Sequence, residues 1–214
     1  MSLTFAIPKG RIGQEVLPLL KAVGVQPEAD YFDDQSRALR FATNQDDLSI
    51  IRARSFDVAT FAAYGAAHFG VAGSDVLMEF DYPDLYAPLD LNIGHCRLSL
   101  AAPEHIELED LKGLSHVRVA TKYPNMTRKF FAEQGIQAEC IKLNGAMELA
   151  PNLGLTDYIV DLVSSGQTLK SNGLHELMTI SKISSRLVIH RQTFKTKQAQ
   201  MQEWIEKFRG VVSP

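Results

Sequence analysis

Residues 148–169 read ELAPNLGLTDYIVDLVSSGQTL. The core of this stretch, Tyr158–Val163, is short, apolar and rich in β-formers, so it reads as a strand. Strand alternation sets Asp157, Ile159, Asp161 and Val163 on one face and Tyr158, Val160 and Leu162 on the other. Two carboxylates on one face of an apolar strand are costly to bury without partners. The strand runs into Ser164, Ser165, Gly166, Gln167 and Thr168, where a short helix over 167–172 begins. Strand, glycine turn and helix in succession form the repeating unit of an α/β sheet. The turn also offers free backbone N–H groups, a positive dipole end and hydroxyl donors, all suited to a phosphate dianion. Gly166 lets the backbone approach such a ligand without an intervening Cβ. The plainer alternative is a turn and helix cap with its aspartates in solvent. The paired carboxylates upstream favour the phosphate reading.

Working outward, the same alternation fills the chain. Strands are predicted at 3–7, 39–42, 48–52, 69–72, 96–101, 117–120, 138–143, 177–180 and 187–190. Helices are predicted at 11–23, 58–66, 125–134 and 146–153, with a terminal one at 195–208. Pro18 should kink or shorten the first helix. From Leu85 the chain reads as irregular until the strand at 96. Met201, Trp204, Ile205 and Phe208 form one apolar stripe, a docking face for the last helix. The pattern predicts an α/β fold with a largely parallel sheet, in two lobes crossed by the chain near 90–95 and 181–186. The lobes would be 1–93 with 184–214, and 94–183. Open α/β sheets bind ligands at strand carboxyl ends, so an interlobe cleft is the expected site.

Composition excludes several functions. The chain has 214 residues, 22 Lys and Arg against 25 Asp and Glu, and a net charge of −3, which argues against a nucleic-acid binder. Its two cysteines, Cys96 and Cys140, are too far apart to suggest a disulfide framework or a metal motif. The histidines show no metal-ligand spacing. Residues 1–11 lack the pattern of a secretion signal, and no apolar run is long enough to cross a membrane, so a cytoplasmic protein is expected. There is no Walker A sequence, no Gly-x-Gly-x-x-Gly and no nucleophile elbow.

The 148–169 stretch resembles the signature of the ATP phosphoribosyltransferase family, with Glu148, Gly154, Asp161, Ser165, Gly166, Thr168 and Leu169 in the expected places. The resemblance implies that residues 164–168 hold the 5-phosphate of phosphoribosyl pyrophosphate, with Glu148, Asp157 and Asp161 toward the ribose or nearby metal waters. It extends to Lys9-Gly10-Arg11 after the first strand, to Ser36-Arg37-Ala38-Leu39 and to Arg54-Ser55-Phe56-Asp57-Val58. It continues through GAAHFGVAGSDVL at 65–77 and ATKYPN at 120–125. In the second-last of these, His68 replaces a common Asp, and Ala59 before it replaces a common Pro, which leaves Gly73, Ser74 and Asp75 as the candidates there. Arg11 and Arg37 are implied to neutralise the departing pyrophosphate, and Lys9, Gly10, Arg54, Gly73, Ser74, Asp75 and Lys122 to favour ATP. Mg2+ would ride on the pyrophosphate rather than sit in a protein cage. The resemblance runs over about residues 3–210, implies the two-lobed type II periplasmic-binding architecture, and by length points to the family's short form. Such members are expected as dimers joined to a regulatory subunit that resembles histidyl-tRNA synthetase. The competing class is a two-lobed solute-binding protein with no chemistry, since the fold alone separates neither.

Overall fold

The computed structural model describes residues 2–33 and 35–212. β1 (Leu3–Pro8) is buried at every position, as a central strand covered on both faces must be. It leads to α1 (Arg11–Ala22), β2 (Arg40–Ala42), β3 (Leu48–Ala53), α2 (Ser55–Ala63), β4 (Phe69–Gly73), α3 (Ser74–Phe80) and β5 (Leu85–Asp90). Next come β6 (Cys96–Pro103), β7 (His116–Thr121), α4 (Pro124–Ala132), β8 (Gln137–Lys142), α5 (Leu149–Asn152), β9 (Tyr158–Val163), α6 (Gln167–Ser171) and β10 (Leu174–Ile183). The chain closes with β11 (Ser185–His190), α7 (Arg191–Thr196) and α8 (Gln198–Arg209).

The chain divides into two units, Met1–Gly94 with Ser184–Pro214, and His95–Ile183. The first holds a six-stranded sheet in the order β2-β3-β1-β4-β11-β5. Only β3, β1 and β4 run parallel; β2, β11 and β5 are antiparallel to their neighbours. The second holds a five-stranded sheet, β10-β6-β9-β7-β8, with β8, β7 and β9 parallel and β6 and β10 antiparallel. Both sheets are therefore mixed, not largely parallel. A parallel neighbour needs a crossover of a dozen or more residues, and connections such as 43–47 between β2 and β3 are too short for one.

Four local expectations are corrected. Residues 85–90 are a strand rather than irregular chain. Pro88 lies within it, which an edge strand tolerates, and β5 pairs only with β11, across a register shift. α3 follows β4 without a break and was not expected. α1 is not shortened by Pro18: it runs from Arg11 to Ala22, with the proline at an exposed position. The terminal helix is two helices, divided at Lys197. Its apolar stripe is buried as expected: Met201, Trp204, Ile205 and Phe208 enter the first unit's core. There the Phe69 ring stacks on Phe5 at 4.4 Å and on Trp204 at 5.5 Å. The second unit has its own cluster, in which Ile159 and Val163 of β9 pack with Ala101, Met147, Leu169 and Leu174.

Candidate active site

Parallel strands end at a common edge, so β8, β7 and β9 deliver their outgoing loops to one side of the second sheet. Lys122 follows β7, Glu148 follows β8 at the start of α5, and the 164–168 loop follows β9. In that loop Gly166 has φ +79°, a left-handed conformation of the kind that backbone anion nests use. The Gln167 amide donates to Ser165 Oγ at 3.3 Å, and the Gly166 carbonyl accepts from the Lys170 amide at 3.1 Å. The amides of Gly166 and Thr168 meet no acceptor among the described residues. Ser164, Ser165, Gln167 and Thr168 are exposed. Asp161 is half-buried on the face of Ile159 and Val163, and its Oδ1 accepts from the Leu162 amide at 2.8 Å.

Asp157 does not join this group. It precedes β9, at the incoming end, and a strand of that length separates it from the loop by roughly 20 Å. Sharing a face with Asp161 does not bring the two carboxylates to one ligand. Asp157 instead lies near Tyr158, whose phenol is raised first by burial and further by Asp110 and Asp157.

The first unit repeats the arrangement with β3, β1 and β4. Their carboxyl ends carry Arg54, Lys9-Gly10-Arg11 and Gly73-Ser74-Asp75. The Lys9 amide donates to the Ala53 carbonyl at 2.7 Å, which ties the first two loops together. A Cβ on Gly13 would lie 2.4 Å from the Pro8 carbonyl oxygen, so only glycine lets α1 close onto the end of β1. A cavity of about 380 Å3 opens here, with Lys9, Arg40, Arg52 and Arg54 in its wall against Asp57. A second, of about 490 Å3, shares Lys9 and Arg52 and adds Gly10, Tyr31 and Ser36. Cations gathered this way raise the local concentration of polyanions despite the negative net charge.

The remaining candidates are more constrained. Arg11 is engaged with Glu15 on its own helix at 3.2 Å, and Glu15 also accepts the Gly94 amide at 2.6 Å. Arg37 is exposed; Ser36 beside it lines the second cavity. Ser74 is tied to Ser184: its Oγ accepts the Ser184 amide at 3.3 Å and its own amide donates to the Ser184 carbonyl at 2.8 Å, which leaves only the hydroxyl hydrogen to donate elsewhere. Asp75 is 5% exposed, with its carboxylate folded over Gly73, so it belongs to the interior rather than to a ligand surface. His68 Nδ1 accepts the Thr4 amide at 3.1 Å, and its pKa is lowered first by burial and then by Lys197.

Two arginines absent from the sequence-level candidates stand out. Arg52 lies in the shared wall of both cavities, its guanidinium 5.0 Å from the Phe41 ring centroid and 5.4 Å from that of Tyr31. Its Nη1 donates to the Tyr31 carbonyl, while its Nε is buried without a hydrogen-bond partner among the described residues. Its place in Arg52-Ala53-Arg54 at a strand's end was the available signal. Arg97 of β6 donates through Nη1 to the Ser164 carbonyl at 3.0 Å, and no local pattern announces that contact.

The family model described as HisG: ATP phosphoribosyltransferase matches residues 54–210. An ATP phosphoribosyltransferase of Paramagnetospirillum magneticum is 59% identical over 97% of this chain and 95% of its own length. A solved structure of the ATP phosphoribosyl transferase (HisG:HisZ) complex from Thermotoga maritima superposes with a TM-score of 0.82 at 33% identity, covering 98% of each chain. The periplasmic aliphatic sulphonate binding protein SsuA of Escherichia coli aligns with a TM-score of 0.59 at 14% identity, covering 97% of this chain and 71% of that one. That likeness shows a shared fold, the two-lobed type II periplasmic-binding architecture, and nothing of function.

Proposed function

The chain belongs to the ATP phosphoribosyltransferase family, and on that premise we propose how its own residues divide the work of the reaction. The enzyme transfers the phosphoribosyl group of phosphoribosyl pyrophosphate to N1 of ATP and releases pyrophosphate, the first step of histidine biosynthesis. The attacking ring nitrogen already carries a lone pair, so a strong general base is not required. Positioning and charge stabilisation are the protein's contribution.

The 164–168 loop takes the donor's 5-phosphate. The observation that carries this is the left-handed Gly166 at the outgoing end of β9, where the amides of Gly166 and Thr168 meet no acceptor among the described residues. Asp161 and Glu148, at the same edge of the sheet, receive the ribose hydroxyls. Mg2+ suits this set, since it binds phosphate oxygens and water with one or two carboxylates and needs no protein cage. Bound there it would supply positive charge to offset the pyrophosphate, and Glu148 and Asp161 are the carboxylates that would hold it. In the first unit, Lys9, Arg52 and Arg54 attract the polyphosphate of ATP, and Arg11 and Arg37 stabilise the departing pyrophosphate, Arg11 after exchanging Glu15 for the ligand. Lys122 supports ATP from the end of β7.

The finer assembly is also a proposal: a homodimer bound to a HisZ-type regulatory subunit, working in the cytoplasm. The solved HisG:HisZ complex from Thermotoga maritima supports the regulatory partner.

Calorimetric titration of donor tests the loop assignment. Gly166→Val places a β-branched residue at φ +79° in the nest and should abolish measurable donor binding while leaving ATP binding intact. Unaltered donor affinity would remove the phosphate from this loop. Pyrophosphate release from ATP, donor and Mg2+, with and without the regulatory subunit, reports the complete reaction.

A further inference from the structure

We propose that Arg97 and Glu176 are positioning residues that brace the phosphate loop from the neighbouring strand, an inference resting on the assignment of 164–168 to the donor's 5-phosphate. Register puts Arg97 of β6 opposite Val163, the residue just before the loop, and Ser99 opposite Asp161. Residues opposite each other share a face, so Arg97 and Ser99 stand on the side of the sheet that carries Asp161.

The guanidinium is held in two directions. Nε donates to Glu176 Oε1 at 2.7 Å and Oε2 at 3.0 Å, and Nη2 donates to Oε2 at 2.5 Å. From the other side, Nη1 donates to the Ser164 carbonyl at 3.0 Å. Glu176 is held in turn, since its Oε1 accepts Ser99 Oγ at 2.7 Å and Thr179 Oγ1 at 3.0 Å. A planar guanidinium fixed by a bidentate carboxylate cannot rotate, so the carbonyl it meets is located by β10 through Glu176.

That carbonyl matters because a trans peptide is rigid: the N–H of Ser165 points opposite to the C=O of Ser164. Holding the carbonyl against Arg97 therefore sets the direction of the amide entering the nest. The loop is exposed and its own hydrogen bonds are few, so without the brace its amides would be ordered only on binding, at a cost in affinity.

A different role for Arg97, as a direct cationic partner of the phosphate, predicts the opposite sign in one variant. Glu176→Gln removes the charge that offsets Arg97 but also loosens the fork. Were Arg97 a direct ligand, the variant would bind phosphate more tightly; as a brace, it binds more weakly. Arg97→Lys keeps the charge and loses the fork, so it should not rescue a brace.

The test is calorimetric titration of ribose 5-phosphate, with steady-state kinetics, on the full chain in its active assembly. Expected for Glu176→Gln and for Arg97→Lys is a roughly tenfold to hundredfold weaker affinity, the scale of losing one charge-assisted hydrogen bond. Donor KM should rise by a similar factor, with the KM for ATP and kcat at saturating donor little changed. Thr179→Val, which removes one bond to Glu176, should act in the same direction more mildly, and gives the answer should either charge variant fold poorly. If Gly166→Val loses donor binding while all three retain it, the brace is refuted and the loop assignment stands. If Gly166→Val also retains it, the loop assignment falls first. Tighter binding by Glu176→Gln overturns the brace in favour of direct contact.

Discussion

Ala146 has φ +52° three residues before α5, in the turn that leads to Glu148 at the start of that helix. A side chain with a Cβ in the left-handed region costs roughly 1–2 kcal/mol, whereas glycine takes that conformation freely. Ala146→Gly should therefore stabilise the protein by about 1 kcal/mol, the gain being trimmed by glycine's greater freedom in the unfolded chain. A urea unfolding midpoint equal to or below wild type would show that the turn relaxes without cost. The turn after β9 was legible because a tight strand-to-helix turn needs a glycine at its left-handed position, and Gly166 supplies it within a short local pattern. Arg97 and Arg52 were not legible for the complementary reason. Arg97 meets Ser164 and Glu176 through sheet register, and Arg52 owes its position to aromatic rings contributed by Tyr31 and Phe41. Asp157 shows the limit of face arguments: alternation alone does not separate the incoming end of β9, where Asp157 precedes the strand, from the outgoing end that leads into residues 164–168.

Elements with strong internal patterns were the ones read from sequence. β9 was placed at its observed bounds because its apolar run is enclosed by polar turn residues, and the α8 stripe announced a buried face. β5 was missed since an exposed edge strand carrying Pro88 has neither alternation nor a full hydrogen-bond ladder to betray it. α3 was missed because Asp75 and Glu79 make a buried helix look polar. The β6–β10 pair has its own consequence for acid stability. Hydrogen bonding from Arg97, above all, holds the Glu176 carboxyl at about 2 instead of 4.5; burial opposes the shift, and Ser99 and Thr179 assist it. A depressed carboxyl pKa contributes stability that is fully present above the unfolded value and fades as pH falls from 4.5 toward 2. Wild type should lose stability across that window, and Glu176→Gln should show a shallower loss there. Parallel acid limbs in thermal unfolding of the two proteins would mean the bridge contributes nothing that titrates, as many exposed pairs do not.

Across the whole molecule, chain order was readable and sheet order was not. β11 lies between β4 and β5, pairing Leu187 with Val71 and with Leu89, and no pattern local to any of these strands encodes that insertion. The consequence is an asymmetry between the two units. Residues 95–183 form one uninterrupted segment with a complete five-stranded sheet and an apolar cluster drawn wholly from itself. The other unit depends on a segment that returns after the whole of the second has been made. β11 joins β4 to β5, and Trp204 and Phe208 of α8 complete the core around Phe5 and Phe69. Expressed alone, residues 95–183 should therefore fold and unfold cooperatively in denaturant, while residues 1–94 alone should not, having lost a central strand and two large core aromatics. Loss of a single such aromatic already costs about 3–5 kcal/mol, a large share of a domain's stability. A cooperative transition from 1–94, or none from 95–183, would place the folding boundary elsewhere than the two chain crossings.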